Sequence, residues 1–263
     1  MDLFEYNRNA WNLQSLDGCR WSTPYPDEVI ERAKRGDWSV ILTPNRAVPQ
    51  DWFPAYPDLS GRKILALASG GGQQVPIFAA AGAAVTSFEG SDVQLEKDEQ
   101  TCARHGLAIT AIQGDMADLS VLDSESFDLV FNPVSNAFAP SLEPIWRESH
   151  RVLKPGGRLL CGFTNPAFYL FDHVLLEETG EIRVVHRLPY SDIESADEET
   201  LSEQIEAQAI LEYSHSWETQ LGGQCAAGFA ITGFYEDDWD EESTRMQGWM
   251  PMYAATRSVK WSG

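Results

Sequence analysis

The chain predicts an α/β fold: a doubly wound, mostly parallel sheet of seven strands preceded by an aromatic arm. Three observations carry this. Lys63 to Ser91, KILALASGGGQQVPIFAAAGAAVTSFEGS, reads as one strand-turn-helix-strand unit. Strand-like and helical runs go on alternating to Phe163, the pattern of parallel strands joined by crossover helices. Glu89, Asp115 and Asn132 fall at the ends of the second, third and fourth strands, the edge of an open α/β sheet that holds ligands.

Within the first unit, Ile64 to Ala68 is a short continuous apolar run, as expected of a strand covered on both faces. Ser69-Gly70-Gly71-Gly72 turns the chain sharply and lets a ligand approach the backbone amides. Gln73 to Ala81 is a helix, with Pro76 tolerated in its first turn and Gly82 as its stop. Ala84 to Phe88 is the second strand. Ser91 caps the next helix and Gln94 closes a capping box. Leu107 to Ile112, Phe127 to Phe131 and Arg158 to Phe163 are the next three strands, with a helix over Ser141 to Leu153. Beyond an irregular stretch from Asn165 to about Ala207, Glu206 to Trp217 is expected as the sixth strand, Glu218 to Gly228 as a helix and Phe229 to Tyr235 as the seventh strand.

Composition narrows the partners. The 263 residues are 43% hydrophobic, enough for one sizeable core. Nineteen basic against forty acidic residues give a net charge of -21, which repels nucleic acid and anionic membrane surfaces. No apolar stretch approaches the length that spans a bilayer, and the N-terminus has neither a basic n-region nor a transit-peptide character, so a cytoplasmic protein is expected. Cys19, Cys102, Cys161 and Cys225 lie far apart and form no CxxC pair, so four buried small hydrophobes are expected rather than disulfides or a metal site. Seven carboxylates without a basic residue between Ser191 and Glu206 read as a solvated insertion, and Glu236, Asp237, Asp238, Asp240, Glu241 and Glu242 as wet surface.

Residues 1–59 hold Trp11, Trp21, Trp38 and Trp52 and are broken by six prolines. Such an arm either covers the ligand crevice and excludes water or packs on the side of the domain; Phe4 to Asn12 is the part expected to form a short helix over the crevice.

A glycine turn followed by an acid suits more than one nucleotide-like ligand. Counting a GxGxxG fingerprint from Gly70 places Val75 where a dinucleotide site needs glycine or alanine, and Gln73-Gln74 offers neutral amides where a pyrophosphate wants a base. The ordered motifs resemble those of class I S-adenosylmethionine-dependent methyltransferases of the methyltransferase type 11 group, best over residues 60–165. The resemblance implies a Rossmann-like core at 60–165 that binds S-adenosyl-L-methionine, an arm or lid at 1–59, and an acidic insertion with the C-terminal strands, 166–263, completing the same domain. It places the cofactor on Ala68, Ser69, Gly70, Gly71, Gly72 and Gln73; its ribose on Glu89 beside Gly90, Ser91 and Gln94; its adenine on Asp115 and Met116; and its sulfonium near Asn132 and Val134. Arg151 to Gly157, RVLKPGG, resembles the group's helix-to-strand-five junction. Ala66 and Ala68 depart from the family's acid and first glycine, leaving Gln73 or the amide of Asn132 to compensate.

The implied reaction passes a methyl group to a small-molecule acceptor by in-line displacement, with no metal and no obligatory nucleophile. His215 is the candidate base where the acceptor must lose a proton; the other reading is a half-buried histidine bonded at a strand end. Two alternatives stay open: an NAD(P)-dependent oxidoreductase using the same turn and Glu89, and a degenerate, non-catalytic cofactor-binding fold.

Overall fold

The computed structural model describes residues 1–239 and 244–261. Its centre is a seven-stranded sheet of order β3-β2-β1-β4-β5-β7-β6, formed by β1 (Lys63–Leu67), β2 (Ala84–Glu89), β3 (Thr110–Gln113), β4 (Phe127–Asn132), β5 (Leu153–Thr164), β6 (Phe229–Asp237) and β7 (Tyr253–Lys260). The first five strands run parallel, and β7 enters antiparallel between β5 and β6. The chain's helices are α1 (Leu3–Leu16), α2 (Asp27–Ala33), α3 (Gln74–Ala80), α4 (Asp92–Arg104), α5 (Glu143–Val152), α6 (His173–Thr179), α7 (Asp192–Ser195), α8 (Glu198–Glu206) and α9 (Gly223–Ala226).

The short apolar strands sit where burial on both faces requires them. Ile64, Leu65, Ala66 and Leu67 of β1 have no accessible surface, nor have Leu129, Val130 and Phe131 of β4 beside them. Two apolar layers result. Ile64, Phe78 and Phe131 pack with Trp38, Trp52 and Phe53 of the arm, while Leu65, Val130 and Leu159 pack with Trp146 of α5 on the other face.

The arm has two parts. Residues 27–59 pack on the side of the sheet, whereas α1 lies against the start of α4. There Asn12 Oδ1 accepts from the Ser91 hydroxyl at 2.6 Å and the Val93 N–H at 3.3 Å. Lys97 of α4 fastens the next part of the arm by donating to the carbonyls of Ser15 and Ser22 at 2.6 and 2.7 Å.

The end of the sheet departs from the sequence expectation. Glu206 to Trp217 is not a strand; it contributes one isolated bridge, Tyr213 to Ser191. Its backbone bonds go to side chains and loops instead. Asn7 of α1 both accepts from Leu211 N–H at 2.9 Å and donates to its carbonyl at 3.0 Å, imitating a neighbouring strand. The strand expected as the seventh, Phe229 to Tyr235, is β6, and the last strand is YAATRSVK. Its small and polar residues hide it from an apolar pattern, yet Thr256 and Ser258 are fully buried because Gln224 of α9 accepts from both hydroxyls, at 3.2 and 2.6 Å.

Three compositional expectations change as well. Only Cys102 and Cys161 are buried; Cys225 is exposed and Cys19 is partly so. Six of the insertion's carboxylates are exposed, but Asp192 is buried, accepting from the Tyr190 hydroxyl and the Glu212 N–H at 2.6 Å each. In the later acidic run Asp237 accepts the N–H groups of Asn45 and Arg46, and Asp238 that of Gly248, so both fasten loops. Asp240, Glu241 and Glu242 lie outside the described residues.

Candidate active site

The sheet order reverses between β1 and β4, and there the crevice opens. A cavity of about 450 Å³ fills it, within the range of small-molecule sites. Its floor is the turn after β1, with Glu89 and Gln94 beside it; Trp11 and Trp21 of the arm form one wall, and Val134 and Ser135 after β4 another. Its far end is closed by Phe168, Tyr169, Glu212, Trp239 and Tyr253.

The turn is shaped by close approaches. Ala68 has φ of 47°, a left-handed conformation that costs an alanine on the order of 1 kcal/mol, and its N–H donates to the Phe88 carbonyl at 2.9 Å. At Gly70 a Cβ would come within 2.9 Å of Glu89 Oε2, so glycine is needed for Gly70 N–H to reach that oxygen, at 3.1 Å. At Gly71, φ is 98° and a Cβ would lie 2.7 Å from Ser22 Cα. This glycine admits the arm, not a ligand.

Glu89 is the best-placed polar group of the floor. It is 8% exposed; one oxygen accepts from Gly70 and the other from Ser91, each at 3.1 Å. Desolvation by burial raises its pKa, and the amides of Ser91, Gly70 and Gly90 oppose the rise. Each oxygen keeps a lone pair for a further donor. At the far end Tyr169 donates to Glu212 Oε2 at 2.6 Å. Glu212 lines the cavity and is only partly accessible; burial of its carboxyl raises its pKa, the Tyr169 hydroxyl opposes the rise and Asp192 adds to it. Glu89 and Glu212 are the only charged residues among the described residues lining the cavity, and no basic side chain joins them.

Of the sequence candidates, Ala68, Ser69, Gly70, Gln73, Glu89, Gln94 and Val134 line the cavity together. Gln73 has its amide nitrogen committed to the arm, donating to the carbonyls of Arg20 and Thr23 at 2.7 and 2.9 Å, so that group is not available to a methionine carboxylate. Gly71, Gly72, Gly90, Ser91, Asp115, Met116 and Asn132 lie behind or beside the lining. Asp115 accepts from Ala117 N–H at 2.8 Å, and Met116 packs in the apolar layer under α5. Asn132 is fully buried; with its amide turned so that nitrogen faces acceptors, it donates to the carbonyls of Leu67 and Pro133 at 3.2 and 3.3 Å and ties the ends of β1 and β4. His215 does not line the cavity. Its Nε2 faces two acceptors, the carbonyls of Asn136 at 3.1 Å and Ala139 at 2.9 Å, and so carries the proton. Burial lowers its pKa. The ring is held as a strut between these carbonyls, buried and away from any strand end.

Sequence reasoning missed two groups. Asp98 of α4 is fully buried beneath the turn, accepting from Gly72 N–H and the Ser87 hydroxyl, each at 2.7 Å. Desolvation pushes its pKa up to about 7. Its signal was present: Gln94, Asp98, Thr101 and Cys102 share the buried stripe of α4. Tyr169 and Glu212 carried no signal, since only the fold brings them together. Among the described residues no cluster of His, Cys, Asp or Glu suits a metal ion, and no helix is long and apolar enough to cross a membrane.

A parallel sheet of this order, its last strand reversed and its crevice closed by a carboxylate at the end of β2, has the class I methyltransferase architecture. The solved structure of an S-adenosylmethionine dependent methyltransferase from Mesorhizobium loti shares it, with a TM-score of 0.59 over 77% of this chain and 93% of that one; at 18% identity the likeness is one of fold. Residues 65–161 match the family described as methyltransferase domain. Uncharacterized methyltransferase YbaJ of Bacillus subtilis (strain 168) is 44% identical over 98% of each chain. The chain belongs to this methyltransferase family. Sterol 24-C-methyltransferase of Eremothecium gossypii is 30% identical over 141 residues, 52% of this chain and 35% of that enzyme.

Proposed function

We propose that the methyl donor is S-adenosylmethionine and that the acceptor is a small molecule bound in the same cavity. The observation that carries this is the lining: two carboxylates, aromatic walls and no basic side chain among the described residues. Such a site attracts a sulfonium and opposes the pyrophosphate of a dinucleotide, which favours this reading over an NAD(P)-dependent oxidoreductase. The residues present fit the group: Glu89 has lone pairs free for ribose hydroxyls, and Ala68, Ser69 and Gly70 line the cavity where the methionine portion would lie. The cavity's size and the net charge of -21 speak for a small acceptor and against nucleic acid or an anionic membrane surface.

Bound S-adenosylmethionine supplies a methyl group already activated by its sulfonium. The chain's work is then alignment and the exclusion of water. Glu89 fixes the ribose, Val134 and Ser135 border the space between cofactor and acceptor, and α1 with Trp11 and Trp21 closes the cavity from solvent.

Calorimetry with S-adenosylmethionine, S-adenosylhomocysteine and NADH tests the reading. Binding of the first two without NADH is expected, and binding of NADH alone would sink it. No binding at all would favour the degenerate fold. Glu89→Ala is expected to weaken S-adenosylhomocysteine binding roughly 100-fold through the loss of two charge-assisted bonds; unchanged affinity would mean the ribose lies elsewhere.

A further inference from the structure

Past Val134 and Ser135 the cavity ends in a carboxylate among aromatic rings. Tyr169 donates to Glu212 at 2.6 Å, and Tyr253, Trp239 and Phe168 line the space around the pair. The Trp239 ring lies 5.5 Å from those of Tyr253 and Trp21, and Phe168 meets Tyr169 edge-on at 5.4 Å. A second buried carboxylate stands directly behind, Asp192 Oδ2 accepting the Glu212 N–H. Among the described residues no Lys, Arg or His forms an ion pair with Glu212 or Asp192. Arg20 stacks on Trp21 and Trp239, 4.6 and 5.3 Å from the ring centroids, and does not line the cavity.

Resting on the reading of the cavity as a methyl-transfer site, we propose that Glu212, with Tyr169, Tyr253 and Trp239, is the acceptor subsite and that it takes an amine, bound as its ammonium. A desolvated carboxylate with no ion-pair partner among the described residues attracts a cation, and aromatic faces add attraction for an organic one. An acceptor bearing a carboxylate or phosphate meets repulsion from both Glu212 and Asp192.

The same charge serves the chemistry. Glu212 takes one proton from the ammonium, leaving a neutral amine with a lone pair. That pair forms the new N–C bond while the C–S electrons return to sulfur, so a unit of positive charge moves from the sulfonium to the acceptor nitrogen. The product leaves as a methylated ammonium with neutral S-adenosylhomocysteine, and the proton on Glu212 passes to water. The aromatic rings of Tyr253 and Trp239 line the space where this positive charge arrives, which favours the transition state.

Phenethylamine, 2-phenylethanol and phenylacetate share a ring and differ in charge at the end of a short tether. Titrated by tryptophan fluorescence into the full chain saturated with S-adenosylhomocysteine, the amine is expected to bind roughly tenfold or more tighter than the other two. This comparison needs no variant. Glu212→Gln is expected to abolish the preference while S-adenosylhomocysteine affinity stays within about twofold. Equal affinity for the three probes, binding of none of them, or a preference that survives in a folded Glu212→Gln variant would overturn the inference. Failure of S-adenosylhomocysteine itself to bind would instead overturn the assignment of the cofactor.

Discussion

Asp98→Asn is expected to stabilise the protein at alkaline pH, although Asp98 is fully buried and hydrogen-bonded. The folded carboxyl titrates at about 7, against an ordinary 3.8, chiefly because burial disfavours its charge. Between those values the folded state holds a proton that the unfolded chain has released. Stability therefore falls as pH rises from about 4 to about 7, and above that the full penalty persists, on the order of 4 kcal/mol. Asparagine stays neutral throughout. Its oxygen still accepts from Gly72, while its nitrogen faces the Ser87 hydroxyl, which turns to accept. Allowing about 1–2 kcal/mol for the weaker uncharged bonds, the variant should be about 2 kcal/mol more stable than the parent at pH 8.5. The gap should close by pH 5. Urea denaturation followed by tryptophan fluorescence at pH 5, 6, 7 and 8.5 measures it, with equal slopes required in both proteins. A difference that does not change with pH, or a variant less stable at pH 8.5, would refute the reasoning.

Ala68→Gly should raise unfolding free energy by about 0.5 kcal/mol, because the left-handed conformation strains an alanine more than glycine's extra chain entropy costs; thermal melts check it, and a lower Tm contradicts it. His215→Ala should cost about 1–3 kcal/mol at pH 7.5 by orphaning the Asn136 and Ala139 carbonyls. Since burial holds the folded histidine's pKa below its ordinary 6.5, its contribution is present above that value and fades as pH falls, so the gap should narrow in acid. Unchanged stability at pH 7.5 would release the ring from its role as a strut.

Much of the framework was legible because it rests on local rules. The run from Lys63 to Ser91 carries its own turn, helix stop and buried strands, and Ser91 caps α4 by accepting from Gln94 N–H as the spacing required. Glu89 was legible for the same reason: the position after an apolar strand that faces a glycine turn has few alternatives. Errors begin where local pattern and long-range pairing disagree. Glu206 to Trp217 looks like a strand, but the place beside Leu211 is taken by the Asn7 side chain. The true last strand looks polar, because its hydroxyls are satisfied only by Gln224, a residue from another element.

The sequence by itself determined the alternation of strands and helices, the glycine turn and the acid at the end of β2, since each depends on residues within a few positions of one another. Tertiary structure alone decided what the cavity contains. It turned Gln73 toward the arm, withdrew His215 to two carbonyls, buried Asp98 under the turn and set Glu212 against Tyr169, 43 residues away. Contacts of that kind are fixed by the packing of distant segments, and the desolvation that gives the carboxylates their chemistry exists only once those segments have closed over them.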